Sequence, residues 1–101
     1  MNEYSIKISD DDPEAPPMGA FIPKQFERHY LGEGRLGDGL RSLHGETGLA
    51  TLAALDATIN ALGTNETDDG NKPTEGNARH ALVLLHRAAS TYPNGVWTVY
   101  G

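Results

Sequence analysis

The sequence predicts an α+β fold: an antiparallel helical hairpin, a shorter N-terminal helix and a small antiparallel sheet pairing the two chain ends. Three observations carry this. Apolar residues alternate near the start, two stretches in the second half carry helical apolar stripes, and the last residues form a β-prone run. At 101 residues the chain has room for one small domain spanning 1–101, and none for a double-wound dinucleotide fold, a barrel enzyme or a kinase.

Tyr4, Ile6 and Ile8 alternate with Ser5, Lys7 and Ser9, the period of a half-buried strand. The run Asp10-Asp11-Asp12-Pro13-Glu14-Ala15-Pro16-Pro17 stops it, and its like charges and prolines predict an extended, solvated, acidic linker over 10–17. Ala20-Phe21-Ile22 reads as a short strand. Pro23 suits the first turn of a helix running to about Leu31, with Phe26 and Tyr30 at i,i+4. Four glycines within 32–39 predict a loop, with a helical turn over Leu36, Leu40 and Leu43.

Thr47 to Leu62 is the clearest helix. Wound at about 100° per residue, it puts Leu49, Leu52, Leu55, Ile59 and Leu62 on one arc and Ala50, Ala53, Ala54, Ala57 and Ala61 on the other. Gly63 stands where a left-handed residue ends a helix. Asp56 is the only charge inside, whereas a surface helix ordinarily shows a charged outer face. Either the helix is covered on both sides within the monomer, or its alanine face is a subunit interface.

Residues 63–75 form a polar, acidic loop. Thr74 or Asn77 then caps a second helix that ends before Pro93, with Ala78, Ala81, Leu82, Leu85, Ala88, Ala89 and Tyr92 as its core stripe. Pro93-Asn94-Gly95 signals a turn, and Val96-Trp97-Thr98-Val99-Tyr100 a final strand that pairs with the first.

The net charge of −6 argues against a nonspecific grip on nucleic acid. The acid is concentrated in Asp10, Asp11, Asp12 and Glu14 and in Glu66, Asp68, Asp69 and Glu75, while residues 76–101 carry only Arg79 and Arg87. With no cysteine there is no disulfide, thiolate nucleophile or Cys-based metal site. Neither a signal peptide nor a membrane span is evident, so a cytoplasmic protein is expected, with no membrane partner.

Gly32-Glu33-Gly34-Arg35-Leu36-Gly37 matches G-x-G-x-x-G, but a helix precedes it instead of a strand, and Asp56 at the distance of the usual acid lies mid-helix. A loop is the better reading, with Arg35 and its amides as a bare phosphate contact in reserve. His80 and His86 stand six apart on one helix, and His29 and His44 lie elsewhere, so no metal site or cofactor is expected. Asn65-Glu66-Thr67-Asp68-Asp69-Gly70 starts like a calcium loop but has Gly76 where the bidentate glutamate belongs. Asn65-Glu66-Thr67 is also a glycosylation sequon, empty without secretion.

His86 and Ser90 are i,i+4 with no orienting acid in view. Asp56 is either a buried base or an edge residue paired with Arg79, Arg87 or a histidine, and the pair is the favoured reading. Arg79, His80, His86 and Arg87 form a cationic face that either receives an anion or meets the protein's own acidic loops. A DNA-reading helix-turn-helix over 24–62 fails because its last helix has no basic residue.

The expectation is a non-enzymatic interaction protein with a protein partner, binding or inhibiting another macromolecule and self-associating through Ala50, Ala53, Ala54, Ala57 and Ala61. An acidic globule of this kind suits a basic, nucleic-acid-binding surface, as small phage-encoded inhibitors do by size and charge alone. The alternative is a binder of an anionic small molecule such as a nucleotide, with Arg35, Arg79, His80, His86 and Arg87 as clamps and Trp97 or Tyr100 as stacking surface. An enzyme using Asp56 or His86 as general base comes last.

Overall fold

The computed structural model describes residues 2–65, 72 and 74–101. Strands β1 (Glu3–Ser9), β2 (Met18–Pro23) and β3 (Val96–Tyr100) form one antiparallel sheet in the order β2-β1-β3. Helices α1 (Gly48–Ala61) and α2 (Glu75–Thr91) pack on one face of it, and 3₁₀ helices run over Lys24–His29 and Leu40–Leu43. The α+β class expected from the sequence is the one observed, with the two chain ends paired as β1 and β3.

Period two decides which side chains reach the core. Tyr4, Ile6 and Ile8 face inward and are buried, opposite Ile22 and Ala20 in β2 and Val99 and Trp97 in β3. Ser5 faces outward between Phe21 and Tyr100. Phe26, Tyr30, Leu36, Leu40 and Leu43 from the irregular stretch close the core beneath. There Glu27 accepts the Leu40 amide at 2.7 Å and ties the two 3₁₀ helices together.

The helices run antiparallel: Gly48 at the start of α1 lies against Ala89 and Tyr92 at the end of α2, and Gly63 past its far end lies near Glu75. Thr47 and Thr74 cap α1 and α2 through their side chains, accepting from the Ala50 and Asn77 amides at 3.2 and 3.1 Å.

Three local expectations are corrected. The 10–17 stretch is not extended; it turns over Asp12, whose carboxylate accepts the Glu14 amide at 2.9 Å, and so returns the chain as β2 beside β1. The helix expected from Pro23 to Leu31 is the 3₁₀ helix over Lys24–His29, with Pro23 still in β2. Gly63 is not a left-handed cap: Leu62 ends α1 in an extended conformation, which turns its own side chain into the core. Most of the acidic loop, with the calcium-like and sequon residues 66–70, lies outside the described residues.

Tyr30 is fully buried and its hydroxyl donates to the Ala78 carbonyl at 2.9 Å. Burial, aided by the Glu27 carboxylate, pushes its phenol far above the ordinary value of about 10. The unfolded chain sheds that proton near pH 10 whereas the folded chain keeps it. The stability Tyr30 contributes is therefore complete below about pH 10 and is lost as pH rises further. Melting temperatures of the native chain should fall across pH 10–12, and Tyr30→Phe should flatten the fall while costing about 1 kcal/mol at neutral pH. An equal alkaline slope in both proteins would show that Tyr30 ionises in the folded state.

Candidate functional site

The rotation of α1 about its axis decides which surface it presents, and polar groups set that rotation. Thr51 is buried: its hydroxyl donates to the Gly48 carbonyl at 2.9 Å and accepts the Trp97 indole N–H at 2.9 Å. Thr58 is buried two turns further on, donating to the Ala54 carbonyl at 2.8 Å. Each hydroxyl is satisfied locally, so neither penalises burial. At the helix start the Gly48 and Leu49 amides donate to the Gly95 and Pro93 carbonyls, both at 2.9 Å.

With Gly48, Thr51, Leu55, Thr58 and Ile59 held inward, Leu49, Ala50, Ala53, Ala57 and Ala61 turn outward. This corrects the expected wheel in two respects. Leu49 leaves the core arc and stands 64% exposed, and among the described residues nothing covers Ala50, Ala53, Ala57 and Ala61. Only Ala54 among the five alanines packs against the core. The outer face of α1 thus carries no basic residue and has no cover among the described residues.

Asp56 lies at the edge of that face. Its carboxylate meets His86 Nε2 of α2 at 3.0 Å, with the Asp56 side chain 61% exposed. The buried-base reading of Asp56 is overturned, and the histidine partner is the one present. The acid absent from the local sequence around His86 comes from the facing helix. In solvent a pair of this kind contributes little to stability.

The other anion-binding candidates do not converge. Arg79, His80 and Arg87 sit on α2 with the helix layer on the inner side of the sheet, whereas Tyr100 faces out from the sheet's opposite side. Arg35 donates to the His29 carbonyl at 2.6 Å within the glycine loop. Trp97 is 1% exposed and its indole is committed to Thr51, so it offers no stacking surface, which corrects that expectation. The loop itself closes between Gly32 and Gly37, which exchange amide bonds of 2.9 and 3.1 Å and both hold positive φ. It presents neither a preceding strand nor a long helix N-terminus to a phosphate. Among the described residues no three His, Asp or Glu side chains form a metal-binding group, and no helix is long and apolar enough to cross a membrane.

The sheet's outer face sets Tyr100, an expected stacking residue, beside Phe21, which was not among the candidates. Phe21 is 67% exposed and Tyr100 65%, on either side of Ser5. The signal lay in the alternation Ala20-Phe21-Ile22, but only pairing with β1 tells which of Phe21 and Ile22 turns inward. No protein-family model matches this chain, and no curated protein or solved structure matches it either.

Proposed function

We propose that this protein acts by binding another macromolecule, with the outer face of α1 as the docking surface for a protein partner. The observation that carries the reading is the exposure of Leu49 together with Ala50, Ala53, Ala57 and Ala61 on a helix without lysine or arginine. Solvated helix faces ordinarily carry charge, and an apolar face with small side chains lets a second helix approach closely. Asp11, Asp12 and Glu14 are exposed on the β1–β2 turn, and the chain as a whole is at −6. Such a field steers association toward a basic surface and speeds encounter. The partner suited to both features is a basic protein, including one whose basic patch serves nucleic acid.

Affinity capture from the native cell with the unmodified chain and with Ala53→Lys/Ala57→Lys tests this. The double variant is expected to keep its melting temperature to within a degree or two, since both positions are exposed and lysine is a good helix former. It should lose a partner that the unmodified chain retains and that dissociates with added salt. Retention of the same proteins by both chains would refute the α1 face as the docking surface.

A further inference from the structure

The main-chain bonding pattern leaves β2 with an open edge. Trp97 and Val99 turn their amides away from β1: Trp97 N–H donates to the Glu46 carbonyl at 2.9 Å, and Val99 N–H to His44 Nδ1 at 3.0 Å. By alternation Ser5, Lys7 and Ser9 bond to β3, and Tyr4, Ile6 and Ile8 bond to Ile22, Ala20 and Met18 of β2. The Lys24 amide, which continues this parity, donates to the Asn2 carbonyl at 2.9 Å. Gly19, Phe21 and Pro23 therefore point their main-chain groups away from the sheet. No strand lies beyond β2 among the described residues, so the amides of Gly19 and Phe21 face an open edge. On the outer face a hollow of about 270 Å³ lies against Gly19, bordered by Ser5, Lys7, Pro17 and Phe21.

We infer that β2 pairs edge to edge with β2 of a second copy of this chain, about a two-fold axis through Ala20, giving a continuous six-stranded sheet. Three features select this occupant. First, the axis sets Gly19 of each copy opposite Phe21 of the other, and each pair exchanges both of its N–H···O=C bonds. Second, the exposed Phe21 ring of one copy then lies over the side-chain-free Gly19 of the other, in the hollow beside Lys7. An aromatic ring covering a cross-strand glycine is a known way of pinning register. A slip of two residues in either direction sets a proline, Pro17 or Pro23, opposite Gly19 or Phe21 and forfeits bonds. Third, antiparallel docking brings the chain entering β2, with Asp12 and Glu14, beside the chain leaving it in the other copy, with Lys24 and Arg28.

Sedimentation of the unmodified chain over a concentration series, at low and high salt, gives the first test. A reversible dimer that weakens with salt is expected, and Phe21→Ser should raise its dissociation constant roughly tenfold or more. The chain has no cysteine, so Ala20→Cys introduces its only thiol. On the axis the two Cα atoms stand about 4.5 Å apart, within disulfide reach, and mild oxidation should give a covalent dimer. A chain that stays monomeric at every concentration, or an Ala20→Cys protein that oxidises no faster than an exposed cysteine on α2, overturns the proposal. So does a dimer dissociated by Ala53→Lys/Ala57→Lys but untouched by Phe21→Ser. The docking face on α1 lies on other residues, so either reading can fail without the other.

Discussion

Trp97→Ala is expected to lower the unfolding free energy by about 3–5 kcal/mol, a large part of what a small domain holds. The indole is the largest fully buried side chain, and its N–H is satisfied by Thr51 of α1. The same residue's main chain donates to Glu46 and accepts from Gly45 at 2.9 Å each, so Trp97 joins the sheet, the 44–47 segment and α1. Truncation leaves a cavity and deprives the Thr51 hydroxyl of its donor together. Trp97→Phe should cost less, since a ring refills most of the space. Urea unfolding followed by circular dichroism reads both variants. A loss under about 1 kcal/mol for the alanine variant would mean that the indole is not in the core.

Gly48→Ala should destabilise by about 1–3 kcal/mol, against the usual direction of such a change. Within a helix alanine is ordinarily favoured over glycine by about 1 kcal/mol. Here a Cβ on residue 48 would stand 2.5 Å from the Tyr92 carbonyl oxygen and 2.8 Å from that of Ala89. Both are main-chain atoms at the end of α2, so relief requires the helices to part. Parting also strains the bonds that Gly48 and Leu49 make to the 93–95 turn. Thermal unfolding decides the sign, and a raised melting temperature would show that the helices are not in close contact at that point.

Elements whose identity rests on local pattern were legible in the sequence. The alternation Tyr4-Ile6-Ile8, the cap of α2 at Thr74 (one of two residues expected there) and the β-prone run at Val96–Tyr100 each act through neighbouring residues. Properties set by tertiary contact were not legible. The helical wheel places Leu49 on the leucine arc and so inside. Yet Thr51 and Thr58 take the inward positions, since each bonds locally and Thr51 also receives the Trp97 indole. The wheel identified the alanine arc as a unit and could not say what covers it, because that depends on where α2 and the sheet stop. Likewise Trp97 and Tyr100 share one strand and one residue class, and register alone sends the first inward and the second out. The candidate anion clamps separated because proximity along α2 says nothing of which side of the sheet the aromatic side chains occupy.

Residues 44–47 line the outer margin of β3, with an imidazole standing in for a main-chain acceptor at Val99. That leaves the sheet a single adhesive rim. Pairing through sheet edges alone would therefore stop at one neighbour, because extending the sheet requires a second open rim. Growth of a continuous sheet through β3 would first require residues 44–47 to leave that margin.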